Sequence, residues 1–153
     1  MKNHWKPWAG LAARLVVGGI LTATGLQKLS APLQEFAALL DAYQITPPGV
    51  NHWLAGVFAG TELILGLSLL AGYLTPVSAG AALGLLATYI TALLSTVLRH
   101  LPLTDCGCYG DWIHLTPGQS ITVDGILAAL AVLAFRQGSR RFSLDNWIKE
   151  TPR

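Results

Sequence analysis

Cys106 and Cys108 are the two cysteines of a 153-residue chain, and one glycine separates them. They sit in Asp105-Cys106-Gly107-Cys108-Tyr109-Gly110, a polar loop between two long apolar runs. A ring so small would staple little chain, so the spacing points to reaction rather than reinforcement. On an oxidising face a Cys-Gly-Cys can cycle between dithiol and disulfide. The central glycine tolerates the tight backbone bend that such closure needs, and a strained disulfide is the more readily reduced kind.

Two histidines flank the pair. His100 lies six residues before Cys106, and His114 six residues after Cys108. Either could assist thiol chemistry as a base or proton shuttle, and Asp105 adds a carboxylate beside the first thiol. The same four side chains, Cys106, Cys108, His100 and His114, also form a tetrahedral donor set for zinc or a softer metal. Their spacing matches no standard finger. Replacing both histidines separates the two chemistries, because metal binding should collapse whereas thiol exchange should only slow. Tyr109 and Trp112 are aromatic residues close to the thiols. They suit an interfacial belt or the vicinity of a quinone ring.

The rest of the chain must hold this loop at a membrane surface. Charged residues make up 12% of the sequence and mean hydropathy is +0.50, about half the charge of an ordinary soluble domain. Net charge is +2 and no basic, aromatic-laced patch is present, so nucleic acid is not an expected partner. Four apolar stretches, about 8–28, 53–74, 76–98 and 119–136, are long enough to cross a lipid bilayer as helices. The first carries Arg14 and is longer than a signal-peptide core, so it is read as a span. The expected fold is all-α: one polytopic membrane domain over residues 1–153, a four-helix bundle.

Between the first two spans, Leu33, Phe36, Ala37, Leu40 and Tyr43 keep helical spacing, while Glu35 and Asp41 lie off that stripe. This predicts a short amphipathic outer helix, capped by Ser30 with Pro32 in its first turn. Lys and Arg are distributed seven to two in favour of the terminal segments over the two intervening loops. The positive-inside rule then predicts cytoplasmic termini and an extracytoplasmic cysteine loop, as in a bacterial inner membrane. Gly56 with Gly60, and Gly80 with Gly84, recur at a spacing that lets helices approach closely. Arg14, Lys28, Glu62 and Asp124 fall within or at the ends of spans, where charge is costly unless paired. By depth, Arg14 is expected to reach Glu62, and Lys28 to reach Asp124. Glu62 is also a candidate proton-handling group.

These residues together resemble the MauE branch of the MauE/DoxX membrane family, from about Arg14 to Phe135. The resemblance rests on Arg14, Gly18 and Gly25-Leu26-Gln27-Lys28-Leu29, then Pro32 and Phe36, Glu62-Leu63 and Leu65-Gly66-Leu67. Asp105-Cys106-Gly107-Cys108-Tyr109-Gly110 is its most specific part, with Tyr109 where the family commonly has phenylalanine. An Arg-Asn pair expected early in the fourth span is replaced by Asp124-Gly125. The resemblance implies a four-helix protein of envelope thiol redox, working with thioredoxin-like proteins and linked to methylamine dehydrogenase maturation.

The expectation is therefore a membrane thiol–disulfide oxidoreductase whose Cys106 and Cys108 exchange electrons with a periplasmic thioredoxin-fold partner. No cysteine lies near the cytoplasmic face, so electrons would pass to a membrane quinone or move with the loop itself. The polarity of the loop favours the quinone. A soft-metal binding or transport protein and a non-catalytic assembly factor for a periplasmic dehydrogenase are the alternatives. Serine at both cysteines would leave such an assembly factor working.

Overall fold

A computed structural model describes residues 5–47, 49–101, 106, 109 and 115–137. Five helices account for nearly all of them: α1 (Trp5–Ser30), α2 (Leu33–Ala42), α3 (Asn51–Ala71), α4 (Thr75–Leu98) and α5 (Pro117–Gln137). All but α2 are long and apolar enough to cross a membrane. The described residues contain no strand, as lipid demands of a chain that does not close a barrel.

Burial is inverted relative to a water-soluble bundle. Val57, Ile64, Leu67, Val77, Leu94 and Ile126 are exposed on the outer faces of α3, α4 and α5, whereas Arg14, Lys28, Asn51, Glu62, Ser120 and Asp124 are buried. Exposed aliphatic side chains on spanning helices have lipid as their solvent, and the polar groups turn inward to find partners. The chain is thus a multi-pass membrane protein.

The helices alternate in direction. The end of α1, all of α2, the start of α3, the end of α4 and the start of α5 share one end of the bundle with Cys106 and Tyr109. At the other end, α3 stops at Gly72, whose left-handed φ of 69° lets the Gly72 and Tyr73 N–H groups return to Leu69 and Ser68. Leu74 is also left-handed, and α4 begins at Thr75, so the chain reverses in a tight turn.

The tightest packing is between α1 and α3, and glycines create it. A Cβ at Gly66 would lie 2.5 Å from the Thr22 backbone nitrogen, and one at Gly25 would lie 2.6 Å from the Leu63 nitrogen. Gly18 faces the Gly66 carbonyl. The expected pairs do not do this: nothing lies within 4 Å of a Cβ at Gly56, Gly60 or Gly84, and Gly80 meets only the Phe135 ring. Four-residue spacing marks one helix face but does not say which face meets a helix, and here α3 turns Gly56 and Gly60 away from the crossing.

The amphipathic helix forms as expected, with Phe36 and Ala37 buried, Leu33 and Leu40 packed beside them, and Tyr43 buried just beyond its end. Its start differs from expectation. Ser30 is the last residue of α1 and its hydroxyl donates to the Leu26 carbonyl, while Pro32 stands at the N-cap of α2. The first span simply continues as helix through the position assigned to the cap. At the other end of α2, Asn51 donates to Asp41 and accepts from Thr46, tying α2 to the start of α3.

Candidate functional site

The cysteine loop is anchored through Cys106. Its N–H donates to the Leu115 carbonyl at 3.1 Å, and its carbonyl accepts from the Tyr43 hydroxyl. Its Sγ lies 2.7 Å from the Ser120 Oγ. Every polar group of this residue is therefore engaged, and the side chain is 1% exposed. Tyr43 is positioned in turn by Arg99 at the end of α4, whose guanidinium donates to the Tyr43 and Gln44 carbonyls at 3.2 and 3.3 Å. The outer helix thus does more than cover the bundle, because it holds the first thiol in place.

Three residues further on, Tyr109 is buried and its hydroxyl donates to Asp124 Oδ1 at 2.6 Å. Ser120 and Asp124 are four residues apart and lie one turn apart on the same face of α5. This face continues through Leu127, Ala131 and Ala134, all buried. One helical ridge therefore receives both Cys106 and Tyr109, and the register of α5 fixes these two residues.

Beneath this ridge is a buried ion pair. Lys28 Nζ donates to Glu62 Oε1 at 2.7 Å, with the two side chains 2% and 1% exposed. Tyr89 on α4 also donates to Glu62 Oε1. The ammonium lies 4.7 Å from the centre of the Phe36 ring and 5.1 Å from that of Tyr89, so the faces of two rings share its charge. Asp124 and Glu62 line the same small cavity, together with Tyr89 and Tyr109.

The expected pairing of charges is overturned. Lys28 takes Glu62, and Asp124 takes the Tyr109 hydroxyl. Register explains the exchange. With Gly66 against Gly18 and Thr22, and Gly25 against Ala59 and Leu63, Lys28 lies within side-chain reach of Glu62. Arg14 falls level with the Gly72 end of α3, about 15 Å along the axis from Glu62 at 1.5 Å per residue. Arg14 is buried there, 2% exposed.

His100 is exposed at the end of α4 with a left-handed φ of 51°. Asp105, Cys108, Trp112 and His114 lie outside the described residues. Among the described residues no three His, Cys, Asp or Glu side chains are close enough to hold a metal ion. The sequence reading missed Ser120, Tyr89 and the hydroxyl of Tyr43. Ser120 with Asp124 at i, i+4 in an apolar span was a usable signal, as was a tyrosine in the interior of the third span. Nothing in the sequence paired Tyr43 with Cys106, 63 positions away.

Neither the curated proteins nor the solved structures provide a match to this chain. A protein-family profile does, described as methylamine utilisation protein MauE, and it spans residues 6–137. That range takes in the glycine-packed α1–α3 crossing, the Lys28–Glu62 pair and the contacts of Cys106 and Tyr109 with α5, and the chain is a member of the MauE family.

Proposed function

We propose that this protein is a membrane thiol–disulfide oxidoreductase working through Cys106 and Cys108. The observation that carries the reading is the seating of Cys106. Its sulfur is buried 2.7 Å from the Ser120 hydroxyl, and its backbone is held on both sides. A hydroxyl donating to sulfur supports negative charge as it develops there, and a fixed backbone keeps the attack geometry reproducible.

Burial also divides the labour between the thiols. A thioredoxin-fold partner must reach a sulfur in line to form a mixed disulfide, and a side chain 1% exposed is poorly placed for this. Cys108 accordingly carries the mixed disulfide, and Cys106 is the buried thiol released as it forms. A partner thiolate attacks Cys108 of the Cys106–Cys108 disulfide and frees Cys106; the partner's second thiol then breaks the intermolecular S–S bond, and the partner leaves as a disulfide with its two electrons on the Cys106–Cys108 dithiol. Reclosing the Cys106–Cys108 bond passes those two electrons and two protons to a membrane quinone, which becomes the quinol. The distribution of Lys and Arg supports cytoplasmic termini and a periplasmic cysteine loop in a bacterial inner membrane. The family description supports a place for this exchange in methylamine utilisation, such as the maturation of a periplasmic dehydrogenase.

The test is a redox titration of purified protein in detergent, read by the mass shift of alkylated thiols with and without a quinone analogue. A reversible two-electron transition, accelerated by the quinone, is expected. Thiols protected until a chelator is added would support a metal site, and thiols that never form the disulfide would end the redox reading. The division of labour has its own test. Cys106→Ser should accumulate a mixed disulfide with an added thioredoxin-fold protein, and Cys108→Ser should not.

A further inference from the structure

Two buried carboxylates line one cavity in the bundle interior, and each has an oxygen without a partner among the described residues. Glu62 Oε2 and Asp124 Oδ2 are both buried and accept no hydrogen bond from any described residue. Glu62, on α3, and Asp124, on α5, are 1% and 2% exposed. The cavity that both line has a volume of about 10 Å³, enough for one water molecule at most.

Among the described residues, the titratable groups that line this cavity or bond to its carboxylates can be counted. Lys28 comes from α1, Glu62 from α3, Tyr89 from α4, Tyr109 from the cysteine loop and Asp124 from α5. With the tyrosines neutral, the lysine and two carboxylates sum to one negative charge. An uncompensated charge in a membrane interior is expensive, and a titratable group there neutralises instead. Two carboxylates that share a site cannot both ionise readily. Glu62 Oε1 accepts from both Lys28 and Tyr89, an arrangement suited to a charged carboxylate. Among the described residues Asp124 has one donor, Tyr109, on Oδ1.

We propose that Glu62 and Asp124 hold one proton between them across this cavity. The proton is carried on Asp124 Oδ2 and donated toward Glu62 Oε2, directly or through a single water. It makes the cluster neutral, and it gives both orphaned oxygens a partner. The proposal is independent of the thiol chemistry. If that chemistry operates, Tyr109 is the hydroxyl that joins this proton site to the cysteine loop.

The experiment is infrared spectroscopy of the full chain in lipid nanodiscs at neutral pH, in light and heavy water. Wild type is expected to show the C=O stretch of a protonated carboxylic acid, with a deuterium shift. Charge counting sets the variants apart. Asp124→Asn and Glu62→Gln should each abolish the band, because either leaves a neutral pair with Lys28. Lys28→Met should raise its area about twofold, because a second carboxylate must then neutralise. Absence of the band from wild type would overturn the proposal. So would its full retention in Glu62→Gln, which would assign the proton to Asp124 alone. Loss of the wild-type band on adding sodium would replace the proton by a metal cation and would equally overturn it. Helical circular dichroism confirms that each variant folds. If Asp124→Asn does not, Glu62→Gln and Lys28→Met still decide the matter.

Discussion

Alanine at Gly66 and alanine at Gly60 should have opposite effects, although both glycines lie on α3. A Cβ at Gly66 would stand 2.5 Å from the Thr22 nitrogen and 2.9 Å from the Gly18 carbonyl oxygen. Normal separations are about 3.5–4.0 Å, so α1 and α3 would have to part by about 1 Å. Beside the Thr22 hydroxyl, the other two of the three nearest atoms are backbone, which no rotamer change can move aside. Overpacking of this kind costs about 1–3 kcal/mol. At Gly60 nothing lies within 4 Å of the added carbon, and replacing a mid-helix glycine gains about 0.5–1 kcal/mol. The two variants should therefore differ by about 1.5–4 kcal/mol. The assay is reversible unfolding in mixed detergent micelles, followed by helical circular dichroism. The same 1 Å would stretch the Lys28–Glu62 contact from 2.7 Å beyond hydrogen-bond length. If Gly66→Ala and Gly60→Ala unfold within 0.5 kcal/mol of each other, on the order of ordinary surface substitutions, the glycine crossing does not hold the bundle.

Lys28→Met should cost about 3–5 kcal/mol in the same unfolding assay, as expected for breaking a buried pair, whereas Lys28→Met with Glu62→Leu should recover most of the loss. Additive losses in the double variant would show that the two side chains are not coupled. Tyr43→Phe removes the donor to the Cys106 carbonyl and should cost about 1–3 kcal/mol. It should also speed alkylation of Cys106, measured by mass shift over time, and an unchanged rate would mean that the outer helix does not hold the thiol. Ser120→Ala should slow disulfide exchange about tenfold, the loss of one hydrogen bond to a developing charge, with the helix content unchanged. An unaltered exchange rate would remove Ser120 from the chemistry.

Much of this architecture was legible in the sequence because lipid leaves few options. A run of about 20 apolar residues in a bilayer must be helix, since the backbone has no other way to satisfy itself. Periodicity placed Phe36 and Ala37 on the buried face of α2, as found. The short segment Asp105–Gly110 marked the proposed site, and the family residues in α1 and α3 marked the helices around it. Gly18, Gly25 and Gly66 were visible as part of that resemblance, but their packing role was not. The glycine pairs that spacing favoured turned out to face away from the α1–α3 crossing.

By itself, the sequence determined element type, element order and which loop carries the cysteine pair, because these follow from hydropathy, helical period and residue chemistry. Tertiary structure decided which polar groups meet. Partner choice depends on the register between helices, and a shift of a few residues along α1 would have changed which carboxylate Lys28 reaches. The same register seats Cys106 on Ser120 and Tyr109 on Asp124, one turn apart on α5. No local rule contains that information, because it arises only when backbones close to within a glycine's width and fix how far each helix slides past the next.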